Sequence, residues 1–325
     1  MLKKCFSTLR FYLTTTLLVS VSSLAFAVSD TTSTIPLIAP AVPGKSIAFL
    51  AIGDWGRRGA HHQREDGVEM GKVAEELNAS FTLAVGDNFY ESGVKSLTDS
   101  HWKESFEDIY TAKSLQKRWY VALGNHDYNG NVQAQIDYTQ HSTRWYMPAR
   151  YYSSTIAVDD TTNLLLVVYD SNPFITGYHF VPGKMMNQVA TEDTAAQLKW
   201  MDSVLSHSSA RWKIVVAHHP IYSGGQHGNI KVLMEHVLPI IRKYHVQAYI
   251  CGHDHDMQHL VSEGEVTNYF VTGAGSEVRD VNKTPITKFC YSTTGFMAAT
   301  ISANEMEMNF IDFKGKILYT TKVER

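Results

Sequence analysis

Ile47-Ala48-Phe49-Leu50-Ala51-Ile52-Gly53-Asp54-Trp55-Gly56 is the stretch whose reading decides the fold. Six apolar residues in a row, without polar alternation, read as a strand covered on both faces, as in a parallel sheet. The run stops at a glycine followed by a carboxylate. In an α/β sheet, sites are built beyond the carboxyl ends of the strands, so the position of Asp54 matters as much as its chemistry. The pattern returns along the chain. Residues 81–85 run into Gly86-Asp87-Asn88-Phe89-Tyr90, and residues 119–123 into Gly124-Asn125-His126-Asp127. Residues 212–217 run into His218-His219-Pro220, and residues 248–251 into Gly252-His253-Asp254-His255.

Between the first three runs lie two segments with helical spacing. One covers residues 64–77 with Val68, Val73 and Leu77, and the other carries Trp102, Phe106 and Ile109. This βαβαβ alternation predicts parallel strands joined by crossover helices. The middle of the chain is more antiparallel in character: residues 151–158 and 164–169 pair across Asp159-Asp160-Thr161-Thr162-Asn163. A Gly/Pro-interrupted loop over 171–190 follows, with helices over 195–205 and 232–244. Short strands then fill 258–262, 266–272, 295–302, 306–313 and 316–322. The expected fold class is α/β, with two mixed β-sheets packed face to face as a βαβαβ sandwich flanked by helices. No internal repeat suggests a solenoid or propeller.

At 325 residues, one large domain suffices. With 44% hydrophobic and 19% charged residues the composition is that of a soluble globular protein. A formal charge of −3 and the lack of a lysine/arginine run argue against a nucleic-acid partner. Lys3, Lys4 and Arg10 precede or flank the apolar residues 11–24, and Ala25-Phe26-Ala27 supplies a small-x-small cleavage pattern. Residues 1–27 therefore read as a signal peptide cut after Ala27, with an uncleaved anchor as the alternative. That makes the expected location secreted or periplasmic, with no membrane partner after cleavage. Residues 28–44 read as a flexible lead-in and 45–325 as the folded domain. Cys5 leaves with the signal. Cys251 and Cys290 either form the one possible disulfide, or Cys251 is a small buried thiol ending its strand. Asn78-Ala79-Ser80 and Asn282-Lys283-Thr284 are glycosylation sequons if the source is eukaryotic.

Asp54 and Asp87 are carboxylates at the ends of neighbouring strands, and a close buried pair needs a counter-charge. A metal supplies it. Asn125 adds a neutral oxygen, and His218, His253 and His255 add imidazoles. His253 and His255, two apart on an extended segment, are expected to point to one side and reach two neighbouring ions. The mixture excludes a thiolate zinc finger and does not suit an oxygen-only calcium cage. Two ions bridged by one carboxylate fit the ligand count, and such a pair suits phosphate-ester hydrolysis. His-Glu-x-x-His, Gly-x-Ser-x-Gly and the phosphate-binding Gly-x4-Gly-Lys loop are all absent from the sequence.

The ordered blocks resemble those of the binuclear metallophosphoesterases, and Tyr90, three after Asp87, resembles the tyrosine of the small, tartrate-resistant purple acid phosphatases. The resemblance runs from about residue 46 to the C-terminal strands. It implies a metallophosphoesterase fold and hydrolysis of phosphate monoesters, from small esters or phosphoproteins, by a hydroxide at a binuclear Fe(III)–M(II) centre, M being iron, zinc or manganese. By resemblance, Asp54, Asp87, Tyr90 and His255 hold the ferric ion. Asp87 bridges to the divalent ion, held also by Asn125, His218 and His253. His126 matches the histidine that contacts phosphate and protonates the leaving group, with Asp127 orienting it, and His227 matches a second substrate-side histidine. The role of His219 stays open. Trp55 is a candidate to line the cleft, whereas His61 and His62 read as surface residues. The loop 171–190 lacks the cysteine of the mammalian-type regulatory loop, which puts proteolytic activation in doubt. Two other readings remain at this point: a phosphodiesterase or nucleotidase on the same scaffold, and a non-catalytic metal-binding secreted protein.

Overall fold

The computed structural model describes residues 38–180 and 182–324. The signal peptide, its cleavage after Ala27, Cys5 and the first part of the lead-in lie outside the described residues. The last part of the lead-in is not loose. Ala41 is buried and its N–H donates to the Leu77 carbonyl at 3.0 Å, satisfying an acceptor at the end of a helix. Among the described residues, no helix is long and apolar enough to cross a membrane.

The strands, in chain order, are β1 (Ser46–Ile52), β2 (Phe81–Val85), β3 (Arg118–Ala122), β4 (Trp145–Tyr146) and β5 (Tyr152–Ala157). They continue as β6 (Asn163–Val168), β7 (Trp212–Val216), β8 (Ala248–Cys251), β9 (Met257–Leu260) and β10 (Asn268–Thr272). The last four are β11 (Thr287–Tyr291), β12 (Gly295–Ser302), β13 (Glu305–Asp312) and β14 (Ile317–Glu324). They form two seven-stranded sheets, ordered β14-β13-β12-β1-β2-β3-β4 and β11-β9-β10-β8-β7-β6-β5. In the first, β1, β2 and β3 run parallel and β12 returns antiparallel to β1. In the second, β6, β7, β8 and β10 are parallel, β5 is antiparallel to β6 as expected for the middle of the chain, and β9 is antiparallel to both β10 and β11.

Alternation within the second sheet explains its apolar sequence. Leu164, Leu166 and Val168 of β6 join Trp212, Ile214, Val216, Ala248 and Ile250 in a core shared with the first sheet. The intervening Leu165, Val167, Val215, Tyr249 and Cys251 pack instead with Met201, Leu205, Leu233 and Ile241 of the outer helices and with Val237. Both faces are covered, so the strands carry no polar alternation.

Several local expectations are corrected. Helix α1 (Gln63–Glu76) buries Met70, Val73 and Ala74, while Val68 is 52% exposed. The stripe at spacing three and four is Met70, Val73, Ala74 and Leu77, and Val68 falls outside it. The segment holding Trp102 and Phe106 is a short α turn, Ser100–Trp102, followed by a π turn, Lys103–Glu107. Residues 171–190 are not a plain loop: they contain 3-10 turns at Asn172–Phe174 and Thr176–Phe180 and a helix at Lys184–Val189. The helix expected over 232–244 is broken into Lys231–His236 and Leu238–Lys243. Pro239 explains the break, since it lacks an N–H and fits only a first helical turn. Strands β4 and β11, short or half-exposed, were not legible in the apolar pattern.

An aromatic cluster anchors the turns that follow β1 and β2. The Phe106 ring centroid lies 5.9 Å from that of Trp55, 5.2 Å from Trp119 and 5.1 Å from Trp145, and the Arg144 guanidinium sits 4.0 Å above it. Trp55 is fully buried there and does not line a cleft. Phe106→Ala should lower unfolding stability by about 3–5 kcal/mol, whereas Val68→Ala should change it by less than about 0.5 kcal/mol. Urea unfolding of the two variants measures both, and equal losses would contradict this assignment of the core.

Candidate metal centre

Each sequence block lands where expected, beyond the carboxyl end of a parallel strand. Asp54 follows β1, Asp87 and Tyr90 follow β2, Asn125 and His126 follow β3, His218 follows β7, and His253 and His255 follow β8. The two sheets thus direct their strand ends to one place. Backbone bonds tie the loops there: Asp54 N–H donates to the Gly86 carbonyl at 3.0 Å and Gly252 N–H to that of His218 at 3.0 Å.

Asp54, Asp87 and His253 have positive φ values of 59°, 50° and 70°. Left-handed backbone at non-glycine residues costs on the order of 1–3 kcal/mol and clusters at functional sites, where the surroundings enforce it. Here it turns each side chain sharply inward as its strand ends. His253 and His255 are therefore not on an extended segment. The turn aims them at different neighbours. The glycines of the blocks have a steric reason as well. A Cβ on Gly124 would lie 2.1 Å from Asp87 N, and one on Gly252 would lie 2.3 Å from Asp54 Oδ2.

Two groups of lone-pair atoms result. In one, the Tyr90 hydroxyl lies 3.0 Å from Asp54 Oδ1, 3.0 Å from Asp87 Oδ2 and 3.0 Å from His255 Nε2. In the other, His218 Nε2 lies 3.2 Å from Asn125 Oδ1, 3.2 Å from His253 Nδ1 and 3.4 Å from Asp87 Oδ2. Asp87 Oδ2 belongs to both, while Asp87 Oδ1 accepts the His126 N–H at 2.8 Å. The ligand-type atoms of Asp54, Asp87 and His218 all lie within 4.8 Å of one another, and the same is true of His218, His219 and His253.

Electrostatics and proton count agree that a cation fits. Tyr90 has one hydroxyl proton for three neighbours. Burial, then the Asp54 and Asp87 carboxylates, push the Tyr90 phenol well above its ordinary range, so only a nearby cation could make it a phenolate. Burial acts to lower His218, but Asp87 and Asp54 outweigh it and raise the imidazole to about 9. A proton there sets a positive charge beside the two carboxylates. His218 Nδ1 is 3.1 Å from the Val85 carbonyl and donates to it, which leaves Nε2 free to serve as a ligand once deprotonated.

The surrounding residues depart from expectation in one respect. Among the described residues, Asp127 does not contact the His126 ring. It is fully buried and accepts from Gly124 N at 2.8 Å, Asn88 N at 3.1 Å and Gln135 Nε2 at 2.8 Å. Burial, reinforced by Asp87, raises it to about 7. Asp127 therefore fixes the Asn125–His126 turn against the Asp87 loop, and the His126 ring is oriented by another group. Its Nδ1–H donates to the Glu91 carbonyl at 2.5 Å, and the ring packs 4.4 Å from that of Tyr90. His227 Nδ1 donates to Asp254 Oδ1 at 2.8 Å, and its ring stacks on His253 with centroids 4.0 Å apart. His219 is buried, with Nδ1 2.8 Å from Ser171 Oγ and Nε2 2.9 Å from the Tyr178 hydroxyl, so both ring nitrogens are engaged.

Glu91, Asp254 and Tyr178 are thus parts of the site that sequence reasoning missed. Asp254 carried a signal, lying between two histidines of a recognised block, but Glu91 acts through its backbone and left none. His61 and His62 are exposed, and His62 stacks on Phe313 at 4.2 Å, away from the cluster. Cys251 and Cys290 are both free thiols, since β10 and β9 separate their strands.

Comparison with known proteins agrees with this geometry. Residues 47–257 match the calcineurin-like phosphoesterase family. The chain is 37% identical over 298 residues to purple acid phosphatase 3 of Arabidopsis thaliana, covering 88% of this chain and 80% of that one. It is 34% identical to tartrate-resistant acid phosphatase type 5 of Oryctolagus cuniculus, covering 86% and 91%. Among solved structures, GAP50, the anchor in the inner membrane complex of Plasmodium, superposes with a TM-score of 0.77 at 24% identity, covering 86% of this chain and 89% of that one, and bears on the fold alone. The chain belongs to the calcineurin-like phosphoesterases and, within them, to the purple acid phosphatases, which are phosphoric monoester hydrolases.

Proposed function

We propose that this acid phosphatase holds a ferric ion through Asp54, Asp87, Tyr90 and His255. Asn125, His218 and His253, together with Asp87, would hold a divalent ion, iron, zinc or manganese. The observation that carries this reading is the Tyr90 hydroxyl, 3.0 Å from two carboxylates and one imidazole. An oxygen-rich set with a phenolate suits a hard, highly charged ion, and the set richer in imidazole suits a divalent one. When bound, the ion pair supplies Lewis-acid charge to the phosphoryl oxygens and lowers the pKa of the attacking water.

The protein's own groups do the rest. His126 keeps one proton on Nδ1 for the Glu91 carbonyl, so as an imidazolium it carries the second on Nε2. That proton goes to the departing alkoxide. His227, held by Asp254, contacts the substrate phosphate from the side of His253. The substrate is a small phosphate ester or a phosphoprotein. The N-terminal segment directs export, and the mature chain begins at Val28.

Three measurements test this reading. The iron-loaded protein should show a visible charge-transfer band that Tyr90→Phe abolishes, and a colourless, fully active enzyme containing only zinc or manganese would overturn the ferric assignment. His126→Ala should lower kcat on alkyl phosphates about 10²–10⁴-fold, while nitrophenyl phosphate, whose leaving group needs no proton, loses much less. An equal loss on both esters would remove His126 from the acid role. Mass spectrometry of the exported protein should find Val28 at the N-terminus, and a retained Met1 would refute cleavage.

A further inference from the structure

We propose that Arg57 is a positioning residue that sets the electronic character of Tyr90, and with it the absorption of the iron-loaded enzyme; this rests on the ferric–Tyr90 reading above. The Arg57 guanidinium carbon lies 3.8 Å from the centroid of the Tyr90 ring. Its side chain is only 11% exposed. Nη1 donates to Glu91 Oε1 at 2.6 Å, and Nη2 forms an ion pair with Glu277 Oε2 at 2.9 Å. Its backbone N–H donates to Gln63 Oε1 at 3.1 Å, fixing where the side chain starts. Held at both ends, the guanidinium is kept over the ring and is not free to follow a substrate. A planar, delocalised cation suits this stacked place better than an ammonium.

The effect follows from where the charge sits. A cation over an aromatic face is attracted by the ring's π electrons, and a phenolate ring is richer in electrons than a phenol. Tyr90 is 2% exposed, so water screens the interaction little. Stabilising the phenolate electrons raises the energy needed to move one of them to a ferric ion. Arg57 therefore holds the band at shorter wavelength. Glu91 and Glu277 oppose this by neutralising part of the guanidinium charge. The same guanidinium holds Glu91, whose carbonyl accepts from His126, so one side chain ties together the ring and the histidine beside it.

The test is the visible spectrum of iron-loaded wild type, Arg57→Gln, Arg57→Lys and Glu277→Gln, with iron content measured for each. Arg57→Gln should move the maximum to longer wavelength by more than wild-type preparations differ among themselves, with Arg57→Lys restoring part of the shift. Glu277→Gln should move it to shorter wavelength. Glu277 is 42% exposed, so this variant decides the matter even where Arg57→Gln does not fold. A band that stays at the wild-type position in Glu277→Gln, and in Arg57→Gln where that variant folds, overturns the inference alone. An iron-containing wild type with no band overturns the ferric–Tyr90 reading and this inference with it.

Discussion

The Asp87 carboxylate is the constraint on which the rest of the site depends. One oxygen is shared by two groups of ligand-type atoms, while the other accepts the His126 N–H. It is buried beside Asp54, another carboxylate with no exposure. Two buried like charges are unfavourable without a positive partner. Among the protein's own groups the His218 imidazole answers it, raised to about 9 by Asp87 and Asp54. On the proposed ligand set a metal pair would take over that role, and binding it would displace the His218 proton.

Much of the surrounding structure serves to hold that carboxylate in place. Its own backbone is left-handed, as are those of Asp54 and His253, and the adjoining loops are tied by backbone bonds between strand ends. Asp127 satisfies the N–H groups of Gly124 and Asn88, joining the loops after β3 and β2. Gly124 and Gly252 leave no room for a Cβ between those loops and the carboxylates. The site is therefore preorganised by backbone and packing, and the strain of three left-handed residues is offset by the contacts around them.

Legibility of the fold in the sequence differed by element for physical reasons. The strands β1, β2, β3, β7 and β8 are buried on both faces, so each is a continuous apolar run and could be read directly. Strands β4 and β11 have two and five residues with mixed exposure, and nothing local distinguishes them from loop. The stripe of α1 was misjudged at Val68, because a β-branched apolar residue looks like core whichever way it faces. The break near Val237 could have been read from Pro239. Residues 171–190 are turns and a helix that pack onto the domain, with Met185 and Val189 buried, a stability drawn from tertiary contact that composition does not reveal.

The sequence by itself determined which residues meet. Apolar runs ending in Gly-Asp, Gly-Asn and Gly-His place ligands at strand ends, and parallel pairing brings strand ends together. It also determined the family, because Tyr90 follows Asp87 at a telling distance. Only the tertiary structure decided what each residue does for its neighbours. It moved Asp127 from the His126 ring to the loop backbone, gave that ring to the Glu91 carbonyl, and set Arg57 over Tyr90. Those assignments depend on backbone carbonyls, left-handed turns and contacts between distant segments. None of these leaves a mark in residue type or spacing.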